Sequence, residues 1–525
     1  MTDTALAPNT PPDDAPDGAD RHGSLRAFIV AGGLGVIALL LGWRGADFPA
    51  QIYRADLVRK YGFVLWNGQW YGGHPTLPYS VLAPLAGALV GPAVLALGSG
   101  LVAALGFDRL VRRHFGAAAR VGSAWFACAT VTNLIVGRVA FAFGLAFGMV
   151  SVVALQRGRR GWSVWWAVLT SLSSPVAGVF LAIAVVAYGL GEPRERRTAA
   201  VITAATIAPL ALITLLFPSE GTFPYRGASL VWDLAVCAVF VVVVWRAHPA
   251  LRWGGALYAA ASLGSFVVPS AMGGNIARLG QYIAGPVIAC VLWPKRKVLL
   301  GILAVPLLVW QWAPTVDAVT QSGRDLASQR AYYTHLSSYL LGEKTFGRVE
   351  IPFTFRHWET VYVAEDVALA RGWERQLDIA NNKVFYDGSL DAASYRAWLA
   401  DNAVAFVALP DTKLDPSSLV EKRILESGLA NLKQVWSDTH WTVWRVTDFH
   451  SVVTGPAVVV GMTPTSFTLD VTGRGPVGIK IRPSAHWSVD KAGCTRPDGK
   501  GWMELDSLPL GRVVVSQALS GTPCP

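Results

Sequence analysis

An α-helical polytopic membrane domain of about eleven spans, followed by an extracytoplasmic α/β unit and a β-sandwich, is the fold class that three features of this chain predict. Of its 525 residues 52% are hydrophobic and only 15% charged, with a mean hydropathy of +0.39. That balance excludes an ordinary soluble domain. Apolar runs close to the ~20 residues of a bilayer-spanning helix recur as far as Trp312 and then stop. Finally, the positive charge is confined to the apolar part: the first 313 residues hold 24 basic and 12 acidic side chains, the remainder 21 and 23. A nucleic-acid footprint would place its basic clusters on a soluble fold, so nucleic acid is not an expected partner and a membrane-orientation signal is.

Residues 1–24 read as a disordered cytoplasmic tail, because the first twenty hold five Asp, several Pro and no Lys or Arg. The first apolar run, Ala27 to Trp43, follows Arg21 and Arg26 and carries no small-residue cleavage site, so a retained anchor with a cytoplasmic N-terminus is expected. The membrane domain, 25–314, places spans near 27–43, 77–105, 121–136, 139–155, 162–173, 175–190, 199–217, 229–246, 252–270, 279–293 and 298–313. Ser173, Ser174 and Pro175 separate two short spans, where a broken or re-entrant element is an option. An odd number of crossings puts the C-terminal part outside. Arg109, Arg112, Arg113 and Arg120, then Arg157, Arg159 and Arg160, and the later basic clusters all fall in inner loops. With them seventeen of the 24 basic residues lie inside, the asymmetry of the positive-inside rule.

Beyond Trp312 the charge density rises. Residues 315–449 mix helical patterns such as Tyr395 to Asn402 with short apolar strands such as Phe406 to Leu409 and Trp441 to Val446, which predicts an α/β domain. Residues 450–525 alternate with Gly and Pro turns, which predicts a β-sandwich domain. Cys128, Cys237 and Cys290 fall within spans as small apolar side chains, whereas Cys494 and Cys524 fall in an oxidising compartment where a disulfide is permitted and the sequence leaves pairing open.

Between Arg21 and Ala313 there are only seven carboxylates, so each one counts. Asp108, Glu192 and Glu195 stand among arginines, Glu220 in an outer turn, and Asp233 near the outer end of a span, where an ionisable group is costly. Asp47, in GWRGADFP, begins the outer loop 44–76 and sits where a carboxylate reaches both a lipid headgroup and an aqueous acceptor. The same loop carries Asp56, His74 and several Trp and Tyr, which also fit an interfacial aromatic belt.

The stretches GADFPAQIYRADL and FVLWNGQWYGGHPTLPYSVLAPL after a first N-in span resemble the start of GT-C superfamily membrane glycosyltransferases. GRVAFAFGLAFG, SSPVAG, GGNIARLGQYIAGP and RHWETVYVAEDVALARGWERQLD are similar to polytopic actinobacterial envelope proteins grouped with them. The resemblance implies a GT-C-like fold and a general base or metal ligand at Asp47. It also implies a late cation, here Arg278 of GGNIARLG, on the phosphate of a polyprenyl-linked sugar. Many GT-C enzymes carry a paired acidic motif in the first loop; here Asp47 stands alone, with Asp56 nine residues on, so a divalent metal is an option and no other cofactor is implied.

Transfer from a lipid phosphate needs a base for the acceptor proton and cations for the departing phosphate. A planar guanidinium at Arg278 suits the second task, with Arg138, His74 and Asn275 in support. Arg138 fits equally a snorkelling interface residue, and His74 a packed loop histidine. In the outer part Trp358, Glu359, Trp373 and Glu374 combine aromatic faces and carboxylates, either as an acceptor-binding surface or as a Trp-centred core. The expected activity is inverting transfer of a sugar from a polyprenyl-phosphate donor to an extracytoplasmic envelope glycan or protein by a multi-pass protein of the cell membrane. The alternatives are a catalytically silent relative that binds envelope glycolipid, and a lipid or glycan transporter, which would show internal repeats and midplane charges.

Overall fold

The computed structural model describes residues 17–219, 221–321, 325–343 and 345–525, with N-terminal side chains from Leu25 onward. The expected tail therefore lies outside the described residues up to residue 16, and from Asp17 the backbone is already helical. The first part is a bundle of α1 (Asp17–Leu40), α2 (Phe48–Tyr61), α3 (Leu82–Val90), α4 (Pro92–Phe115), α5 (Ala119–Val136), α6 (Val139–Gln156) and α7 (Arg160–Ser173). It continues through α8 (Pro175–Gly191), α9 (Arg196–Leu216), α10 (Gly227–Val244), α11 (Pro249–Val267), α12 (Ala277–Leu292) and α13 (Lys297–Gln321). Among the described residues six helical segments are long and apolar enough to cross a membrane, and Leu25–Leu40 and Pro175–Gly191 are shorter apolar helices. The protein is a multi-pass membrane protein, and a helix lies on each of the eleven expected segments.

Three boundaries differ from expectation, each for a local reason. The run 77–105 is split into α3 and α4 because Gly91 adopts a left-handed φ of 85° and Pro92 restarts the helix. The segment 44–76 is not a loop throughout: Phe48–Pro49 open α2, and the strands β1 (Trp66–Asn67) and β2 (His74–Pro75) pair antiparallel. Helix α13 runs past Pro314 to Gln321, since a membrane helix tolerates proline where neighbours satisfy the freed carbonyl. The break at Ser174 is an N-cap, its side chain accepting from the Ala177 N–H ahead of Pro175 at the first turn, so α7 and α8 are two helices.

The bundle core is aromatic: Phe107 stacks on Phe126 at 4.2 Å and Phe141 meets Phe180 edge to face at 5.9 Å. Leu212, Leu215, Val242, Val298, Ile302 and Val309 stay exposed, as side chains facing lipid do. The basic loops gather at one end, where Arg160 pairs with Glu195 at 2.9 Å and His248 approaches Glu192 at 3.6 Å. Asp108 differs from a solvated loop residue. It is buried beside them and accepts from Arg112 and Ser123.

The C-terminal part covers the opposite end. Its α/β unit comprises α14 (Ala331–Gly342), β3 (Arg348–Glu350), α15 (Glu359–Tyr362), α16 (Arg375–Asn381), α17 (Ala392–Asp401), β4 (Val404–Pro410), α18 (Leu419–Ser427), β5 (Leu432–Ser437) and β6 (Trp441–Val446). The strands form one sheet in the order β3-β4-β6-β5, with β3 parallel to β4. The sandwich stacks two four-stranded sheets of β7 (Val453–Thr454), β8 (Ala457–Met462), β9 (Ser466–Val471), β10 (Val477–Ile479), β11 (Trp487–Val489), β12 (Cys494–Pro497), β13 (Met503–Asp506) and β14 (Gly511–Gln517). Alternate residues of β9 are buried, the period of a half-covered strand. Cys494 and Cys524 are joined in a disulfide, which resolves the pairing left open by the sequence.

Candidate active site

Asp47 is held by its backbone. The Gly45 and Asp47 N–H groups donate to the carbonyls of Ile135 and Val136 at the end of α5, at 2.6 and 3.2 Å. This close approach requires a glycine next in line: Gly137 has φ 94°, and a Cβ there would collide with the Phe48 backbone. From the other side the α/β unit grips the same stretch. Trp373 Nε1 donates to the Ala46 carbonyl at 2.7 Å, Arg356 donates to the Arg44 carbonyl, and Glu374 pairs with Arg54 of α2. Gly372 fits against Trp70 where no side chain would. With its backbone fixed on both sides, the Asp47 carboxylate remains 40% exposed and therefore accessible to a substrate.

Two cations converge on it. Arg138, in the turn between α5 and α6, brings Nε to 4.0 Å from Asp47 Oδ2, and that buried Nε makes no hydrogen bond. Arg278, at the start of α12, interacts electrostatically with Arg138, Asp47, Tyr79 and Tyr282, and its guanidinium lies 5.6 Å from the Phe141 ring centre. Arg278 and Tyr282 also line one end of a cavity of about 370 Å³ that runs through the bundle between α4, α6, α8, α11 and α12. An acid, two guanidiniums and an apolar cavity thus share one place. A buried donor without a partner is costly, and an anion between the guanidiniums would satisfy it.

The remaining sequence candidates are placed differently. Asn275 is buried just ahead of α12 and donates to the Ala271 carbonyl. Asp56 pairs with Arg59 one turn along α2; burial raises its pKa despite that arginine. His74 is 4% exposed, packed against Trp70 and Tyr71, and its Nδ1 finds no partner. Burial and then the Arg54 charge lower its pKa to about 3, so it is neutral and does not reach the Asp47 cluster as a cation. Trp358 and Glu359 are each 1% exposed, the first stacked on Tyr362 and the second accepting from Thr354, and present no surface to a sugar. Trp373 and Glu374 do stand at the site, as contacts to the Asp47 loop.

Arg54, Gln51 and Tyr79 were not singled out from the sequence. Tyr79 lies 3.6 Å from the Arg54 guanidinium, accepts from Gln51 at 2.7 Å and interacts with Asp47 and Arg278. Only bare patterns marked two of them, an arginine on α2 with no acid three or four residues away and a tyrosine just ahead of the apolar run of α3, and none marked Gln51. As for a metal, no group of three His, Cys, Asp or Glu gathers among the described residues. Divalent cations take several oxygen ligands, whereas Asp47 is one carboxylate facing two arginines, so this donor set does not fit one.

No protein-family model matches the chain, and no curated protein does. Among solved structures, the arabinofuranosyltransferase AftD from Mycobacteria superposes with a TM-score of 0.52 at 15% identity, over 84% of this chain and 40% of that one. This chain therefore spans less than half the length of AftD. ArnT from Cupriavidus metallidurans bound to undecaprenyl phosphate gives 0.47 at 14% identity, over 82% of this chain and 98% of that one. The likeness to AftD shows the fold, which is GT-C-like as the first-loop and late-membrane motifs imply.

Proposed function

We propose that this protein is an integral-membrane glycosyltransferase that moves a pentose or hexose, with inversion, from a polyprenyl-phosphate donor to an envelope glycan or protein acceptor. Its N-terminus is cytoplasmic and its α/β unit and sandwich lie outside. The observation that carries this reading is the meeting of Asp47, Arg138 and Arg278 at the mouth of an apolar cavity. A lipid phosphate needs such a pairing, because its headgroup requires cations while its tail requires a dry groove.

In the proposed step the acceptor hydroxyl attacks the anomeric carbon as Asp47 takes its proton. The bond from that carbon to the phosphate oxygen breaks, and its electron pair leaves with the phosphate. Arg278 holds the departing phosphate at the cavity mouth, and its fixed charge stabilises the transition state. Arg138, paired with Asp47, orients the carboxylate toward the acceptor. The gain from such a base is about 10² to 10⁴ in rate.

Lipid binding tests the cation. Decaprenyl phosphate titrated onto the protein in nanodiscs is expected to bind about 10- to 100-fold more weakly to Arg278→Ala, the worth of a charged hydrogen bond; equal binding would remove the phosphate role. A binding-only role has one observation in its favour: Glu374, the other carboxylate described at the site, is taken up by Arg54, so Asp47 has no acidic partner there among the described residues; lipid binding without sugar transfer is its signature.

A further inference from the structure

The cavity beneath Arg278 has a second end. From Arg278 and Tyr282 it passes Phe141 and Leu145 of α6 and Ala184 of α8, and stops where the rings of His114 and His248 meet edge to face at 5.6 Å. Along α8 its lining runs from Ala177 to Tyr188, roughly 16 Å at the helical rise. Between these ends nearly every lining side chain is apolar. At the far end the lining turns polar again, with Tyr188 beside the two imidazoles and Glu192 within 3.6 Å of His248. An apolar chain gains contact along the middle stretch and none beyond it.

The volume sets how much chain fits. An apolar cavity of about 150 Å³ holds a benzene ring, six carbons, so one of about 370 Å³ holds roughly fifteen. We infer that the protein recognises a prenyl phosphate by its phosphate and the first three isoprene units alone, the rest of the chain leaving the bundle and lying in the bilayer. This rests on the proposed lipid-phosphate donor and deepens it, because it separates the part of the lipid that is read from the part that is carried. Beyond the cavity one apolar surroundings is exchanged for another, so additional isoprene units add little.

The test is a chain-length series with the full-length protein in nanodiscs. Geranyl phosphate (ten carbons), farnesyl phosphate (fifteen) and decaprenyl phosphate (fifty) are titrated, with affinities referred to the lipid-dissolved ligand. Farnesyl and decaprenyl phosphate are expected to bind within about threefold of each other, and geranyl phosphate at least tenfold more weakly. Ala184 is exposed to the cavity about two-thirds of the way along it, so Ala184→Phe fills the last third and is expected to bring farnesyl phosphate down to the geranyl level while leaving geranyl phosphate unchanged. Affinity that rises more than tenfold from fifteen to fifty carbons, or a farnesyl affinity untouched by Ala184→Phe, overturns the inference and leaves the donor reading standing. If no prenyl phosphate of any length binds, the donor reading itself falls.

Discussion

Asp47 is placed by its neighbours' backbone more than by its own side chain. Scarcity made Asp47, Arg138 and Arg278 legible: charges are expensive in an apolar domain, so the few that remain have reasons. Scarcity did not decide His74, which the sequence left open between a site residue and a packed loop histidine, because a histidine packed against Trp70 and Tyr71 looks identical in sequence to one lining a site. Its burial has a consequence for stability. The native pKa of about 3 lies below the usual 6.5, so the unfolded chain takes up a proton that the native protein refuses. The contribution is complete above pH 6.5 and shrinks as pH falls, by about 1.4 kcal/mol per unit. Between pH 7.5 and 5 the melting temperature of wild type is expected to fall more than that of His74→Phe, with a gap equivalent to about 2 kcal/mol. Parallel pH profiles of the two proteins would show that His74 titrates normally.

The segment from Gly45 to Pro75 and the strip Gly372–Arg375 act together as elements. The apolar runs fixed where helices lie, because their length is dictated by the bilayer. The grip of the α/β unit on α2 was invisible, because Arg54 and Glu374 are 320 residues apart and neither neighbourhood announces the other. The Glu374 side chain is only 10% exposed, and desolvation raises its pKa against the opposing pull of Arg54. Removing the arginine strands that carboxyl: Arg54→Ala is expected to cost about 3 to 5 kcal/mol, read as loss of melting temperature in detergent. Adding Glu374→Gln is expected to restore part of it, though not the contact of Arg54 with Tyr79. A loss under about 1 kcal/mol in the single variant would mean that the pair is a surface ion pair in effect.

At the level of the molecule, the positive-charge asymmetry corresponds to a physical arrangement. Basic loops collect at one end of the bundle, while the α/β unit and the disulfide-bonded sandwich cover the other, and Arg138 and Arg278 are left beside Asp47 at the covered end. The sandwich and α/β unit were readable from the return of alternating strands and turns. Their docking onto the first segment was not, because it depends on shape, as at Gly372 against Trp70. The proposed activity of the assembly rests on Asp47 taking the acceptor proton while Arg278 holds the departing phosphate. The decisive measurement is release of free polyprenyl phosphate from a panel of polyprenyl-phosphate pentoses and hexoses, with an envelope glycan acceptor, by wild type and by Asp47→Asn in proteoliposomes. Wild type is expected to release it and Asp47→Asn to do so about 10² to 10⁴ times more slowly while still binding the lipid. Release by Asp47→Asn at the wild-type rate would show that Asp47 is not the base.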